Sequence, residues 1–67
     1  MDYTYQVFWC VPHGAAGIDR LNVADADEAR WTCRARHPGA IMAAFEKTQF
    51  SPEQVNQVFI DWLHSVA

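Results

Sequence analysis

The segment YTYQVFWCV, residues 3 to 11, constrains the fold more than any other stretch of the chain. β-Branched and aromatic residues dominate it and Pro12 ends it, which predicts a strand. Side chains alternate across a strand, so Tyr3, Tyr5, Val7, Trp9 and Val11 share one face, and Thr4, Gln6, Phe8 and Cys10 share the other. Large apolar groups stand on both faces, which suits a central strand. With 67 residues the chain makes one domain, residues 1–67, and a domain of that size buries only about 60% of the surface its unfolded form exposes. Its core must therefore be used efficiently.

The remaining elements follow from turn and cap signals. PHGAAG, 12 to 17, reads as a hairpin loop, and IDRLNVA, 18 to 24, as a second, edge strand with Leu21 and Val23 facing inward. Asp25 with Glu28 three residues later resembles a capping box, and Pro38-Gly39 is a stop, so a helix is expected over about 26 to 37. Ala26, Ala29, Cys33 and His37 form a narrow stripe of mostly small residues, as close packing on a sheet requires, while Trp31 falls about 140° from Ala26. Residues 40 to 46, AIMAAFE, make a third strand. Ser51, Pro52 and Gln54 then open a final helix on which Val55, Val58, Phe59, Trp62, Leu63 and Val66 share one face and Ile60 lies outside it.

The fold class is therefore α+β, in the order β-β-α-β-α, with a three-stranded antiparallel sheet of order 2-1-3 and two packed helices. Two arrangements satisfy this order. Either the final helix covers the sheet face that the first helix leaves open, or both helices share one face and Tyr3, Tyr5 and Trp9 form an exposed aromatic row, a mark of an interface.

Composition excludes several function classes. At 51% hydrophobic the chain is not disordered, and it has no apolar run long enough for a membrane span. A net charge of −3 argues against nucleic acid as partner, since that affinity rests on clustered Lys and Arg. The local exception is Arg30, Arg34 and Arg36 with His37 next to them, which are expected to complement the negative end of a helix, a phosphate site being the alternative. The amino terminus carries no secretory pattern, so the expected address is cytoplasmic and the two cysteines are expected as thiols. Four arginines against one lysine, and ten alanines, point by composition to a bacterial source.

Two Cys-His pairs invite a chemical reading. Cys10 and His13 stand at a strand end and its loop, and Cys33 and His37 one helical turn apart. Together they offer the thiolate and imidazole ligands of a small zinc-binding domain. The spacing is not a common finger pattern, Cys33 occupies a packing position, and the apolar residues suffice for a core, so core cysteines and no cofactor are the main expectation. Neither pair has an orienting carboxylate nearby in sequence, and no phosphate loop or dinucleotide fingerprint is present, so an enzyme is not expected.

The aromatic first strand, LNVADADEAR leading into a helix and HPGAIMAAFE leading into a strand resemble compact ββαβ proteins of phages and mobile elements, including some anti-CRISPR inhibitors. The resemblance spans roughly residues 3 to 46 and is topological. It implies a stand-alone protein that occupies a surface of a larger complex. The expected function is thus a non-enzymatic protein-interaction module, with Trp31, Arg30 and Arg34, together with Tyr3, Tyr5 and Trp9, as candidate partner-binding residues. A protein partner is expected, and a homodimer is a second form it can take. The alternatives are the zinc domain on Cys10, His13, Cys33 and His37, and a weak nucleic-acid binder using the arginine-bearing helix.

Overall fold

The computed structural model describes residues 2–66; Met1 and Ala67, the ends of the expected domain, lie outside the described residues. The chain runs β1 (Tyr5–Cys10), β2 (Ala16–Leu21), α1 (Ala26–Arg36), β3 (Ile41–Glu46), a short 3-10 turn (Lys47–Gln49) and α2 (Pro52–Val66). The fold is α+β, and the strands form one antiparallel sheet in the order β2-β1-β3.

Local chemistry sets the ends of the helices. Asp25 sits in extended backbone as the N-cap of α1, and its carboxylate accepts the Glu28 N–H at 2.8 Å. Glu28 in turn accepts the N–H of Ala24, one residue before the cap, at 3.1 Å. The helix closes at His37, whose N–H donates to the Cys33 carbonyl at 2.9 Å, and Gly39 takes the left-handed φ of 81° that turns the chain toward β3. At α2 the Gln54 side chain accepts the Ser51 N–H at 3.2 Å, the backward half of a capping box.

The two sheet faces are covered by different helices, which resolves the choice left open by the sequence. α1 lies on the face of Tyr5, Val7 and Trp9, where Val7, Leu21, Ala29 and Cys33 form the buried cluster and Tyr5, Trp9, Val23, Met42 and Ala44 pack around it. α2 lies on the face of Phe8. The fully buried Phe8 ring meets Phe45 at 5.0 Å, Phe59 at 5.2 Å, Trp62 at 5.8 Å and Phe50 at 6.5 Å between centroids. Of the predicted α2 stripe Val55 is buried and the other five are half-buried, while Ile60 is exposed. Gln6 shares the Phe8 face and is fully buried, with neither amide atom hydrogen-bonded among the described residues.

β2 starts two residues earlier and ends three earlier than the sequence indicates. Gly17 reads as loop by composition, yet it pairs with Trp9, and an added Cβ would meet Trp9 Cζ2 at 2.9 Å. The indole occupies the place of the missing side chain, which makes this glycine a strand residue. Beyond Leu21 the ladder stops because the Thr4 hydroxyl takes over, accepting the Val23 N–H at 2.8 Å and donating to the Val23 carbonyl at 2.6 Å. The hairpin loop is correspondingly tight, with Val11 N–H on the Ala15 carbonyl at 2.8 Å and His13 at a φ of 60°.

Candidate functional site

Asp19 is the centre of a polar group that joins β1, β2 and the end of α1. It stands opposite Val7 in the β1–β2 register, hence on the α1 side of the sheet. Its Oδ1 accepts the Trp9 indole N–H at 3.2 Å, and its Oδ2 lies 2.9 Å from His37 Nε2 and 3.9 Å from an Arg36 nitrogen. The His37 ring stacks on the Trp9 ring at 3.6 Å and 12°, so one aromatic face holds the imidazole while the indole edge holds the carboxylate. Cys33, fully buried and one turn before His37, completes the group, and its Sγ, an Asp19 oxygen and a His37 nitrogen all lie within 4.8 Å of one another.

This geometry differs from that of a thiol protease-like triad. There, imidazole stands between thiol and carboxylate and removes the thiol proton. Here the carboxylate is central. Burial, followed by the charge and hydrogen bond of Asp19, pushes the Cys33 thiol up to about 11, against a smaller downward pull from Arg36. A thiol so held stays protonated at neutral pH and is a poor nucleophile.

The four Cys and His residues read together in the sequence are split by the sheet. Cys33 and His37 meet on the α1 side, whereas Cys10 alternates to the opposite face with Phe8. Cys10, Pro12, His13, Ile41 and Val66 line a separate apolar recess of ≈ 330 Å³ at the end of α2. The partner that the sequence reading missed is Asp19. A signal existed: its parity matches Leu21, so a carboxylate at an inward position of a strand demands partners.

The candidate interaction residues also separate. Trp31 is 76% exposed on the outer side of α1, and neither Phe59 nor Trp62 covers it, since both pack on Phe8 across the sheet. With Arg34 and Ala35 it borders a shallow depression of ≈ 220 Å³. Arg30 pairs with Asp27 one turn back, whereas Arg34 has no ion-pair partner among the described residues. Tyr3, Tyr5 and Trp9 do not form an exposed row, because α1 lies over that face: Tyr5 and Trp9 are half-buried against its core. Tyr3 is half-buried between Arg20 and Lys47, whose charges stand 5.6 and 5.1 Å from its ring centre.

Among the described residues no helix is long and apolar enough to cross a membrane. Comparison with family models, with curated proteins and with solved structures gives no significant match to this chain.

Proposed function

We propose that the chain is a non-enzymatic protein-interaction module that docks on a larger assembly through the outer face of α1, as an inhibitor or accessory factor of the kind the phage and mobile-element resemblance implies. The observation that carries this reading is Trp31, an indole left 76% exposed in a domain that half-buries its other two tryptophans. Trp and Arg dominate interface energetics because they combine large contact area with directed hydrogen bonds. Arg34 beside it is free to pair, and Arg30 is only half-buried. The fitting partner surface is an apolar slot rimmed by carboxylates. The arginines support nucleic acid less well, since Arg30 is neutralised by Asp27 and Arg36 leans on Asp19.

The test places a photo-crosslinking residue at position 31 and, as control, at exposed Ile60 on α2, in the chain expressed in its native host. The partner captured at 31 and not at 60 is then titrated against Trp31→Ala. The expected result is a binding loss of about 2 kcal/mol or more with a stability change below about 1 kcal/mol, as for a surface anchor. Capture of only a second copy of the chain would make the module a homodimer. Unchanged affinity of Trp31→Ala for the captured partner would remove the anchor and the proposal with it.

A further inference from the structure

We propose that Asp19, Cys33 and His37 form a site for a single zinc-type divalent cation, with a fourth position left for water or another ligand. This site is independent of the interaction surface on the outer side of α1. The donor set is the first argument: one thiol, one imidazole and one carboxylate suit zinc, which takes S, N and O ligands in tetrahedral array. Bond lengths of that array place neighbouring ligand atoms roughly 3.4–3.6 Å apart. Asp19 Oδ2 and His37 Nε2, now 2.9 Å apart, need to open by about half an ångström, and Cys33, within 4.8 Å of both, needs to close by at most about 1.2–1.4 Å.

The surroundings are those of an oriented site. Ligating carboxylates and histidines function when other groups fix their direction. Trp9 occupies Oδ1 of Asp19 and leaves Oδ2 toward His37, while its ring face fixes the imidazole plane. The His37 N–H bond to the Cys33 carbonyl sets the two α1 ligands relative to one another. Gly17 leaves room for the indole to lie where it does. An entry path exists as well, because the Asp19 and His37 side chains keep 16% and 22% of their surface in solvent while Cys33 closes the floor.

The charges also balance. A cation removes the conflict between a buried thiol and an adjacent carboxylate: the Cys33 S–H proton leaves to buffer, and thiolate plus carboxylate together neutralise the two positive charges. Arg36, 3.9 Å from Asp19 Oδ2, is an opposing charge, and its side chain is 55% exposed and free to swing outward.

The experiment titrates the reduced, intact chain with Co²⁺ at neutral pH, follows absorbance, and then adds Zn²⁺. One equivalent of Co²⁺ is expected to give a thiolate-to-metal charge-transfer band together with visible bands of tetrahedral intensity, all removed by one equivalent of Zn²⁺. Cys10→Ser is expected to keep the band and Cys33→Ser to lose it. Asp19→Asn, which keeps the size and the acceptor for Trp9, is expected to weaken binding by more than about 100-fold, beyond what loss of an outer-shell partner costs. The wild-type result decides even if a variant fails to fold. Absence of a thiolate band at excess Co²⁺, or a band that follows Cys10 instead of Cys33, overturns the assignment.

Discussion

Replacing Gly17 with alanine tests how the Asp19 cluster is held together. The glycine does not have a positive φ, so the substitution brings no backbone strain, and alanine by itself favours a strand by roughly 0.5–1 kcal/mol over glycine. Sterics oppose this gain. The new methyl would stand 2.9 Å from Trp9 Cζ2, 3.1 Å from Cε2 and 3.3 Å from Nε1, so the indole must move. It cannot lift away freely, because His37 is stacked on the ring with centroids 3.6 Å apart, and the indole N–H is tied to Asp19 by a 3.2 Å bond. Losing a hydrogen bond to a carboxylate costs about 1.5–3 kcal/mol and losing the ring stack about 0.5–1.5 kcal/mol. Subtracting the propensity gain leaves a net destabilisation of roughly 1–4 kcal/mol for Gly17→Ala, which lowers the thermal midpoint by about 4–8 °C per kcal/mol in a domain of this size. Urea unfolding gives the free energy, and near-ultraviolet circular dichroism reports the tryptophan environment. A double-mutant cycle isolates the cause: in a Trp9→Leu background the same substitution should become neutral or stabilising. A Gly17→Ala protein as stable as the parent, with unchanged near-ultraviolet spectrum, would refute the reasoning.

Four further outcomes are expected. Gln6→Met should raise stability by about 1 kcal/mol in urea unfolding, because it removes two buried polar atoms that lack partners among the described residues while conserving volume; a lower midpoint would show that the amide is satisfied by bound water. In the native protein a thiol reagent should modify half-buried Cys10 and leave Cys33 until denaturant is added. Since the folded Cys33 thiol stands at about 11, above its value in the unfolded chain, its contribution to stability is present below the ordinary thiol pKa and is lost as pH rises from about 9 toward 11, on the order of 1.4 kcal/mol per unit, a slope that Cys33→Ala should flatten. Truncation after Phe50 removes Phe59 and Trp62 from the Phe8 ring and should abolish cooperative unfolding, which a soluble, cooperatively folding fragment of residues 1–50 would disprove.

The parts of the fold that repeat along the chain were legible without coordinates. Alternation in β1 correctly divided Val7 and Trp9 from Phe8 and Cys10, the cap residues Asp25 and Gln54 placed both helix starts, and the stripe from Val55 to Val66 identified the buried side of α2. Trp31 was legible as a residue off the packing stripe of α1. Whether α2 reached over to cover it was not, because that depends on which sheet face α2 docks against, a choice made by contacts of Phe8 with residues more than forty positions later. Gly17 was misread for a similar reason: its strand role depends on an indole that meets it only across the β1–β2 ladder.

Local periodicity and turn chemistry therefore determined the elements, their order and the inward faces, since each rests on residues within one turn or one strand of each other, and the antiparallel order followed from the simplest connections between them. Tertiary structure alone decided the candidate metal centre. Cys33 and His37 share a helical turn, but Asp19 joins them through the pairing of Val7 with Asp19 and the crossing of α1 over that register. Because α1 crosses the Val7 face, Cys10, which alternates to the Phe8 face, is left on the far side of the sheet, and the four-ligand set that spacing suggested dissolves. A one-residue change of strand register would send Asp19 to the other face, because side chains alternate with period two. Convergence of ligands is thus set by long-range pairing, which sequence spacing does not encode.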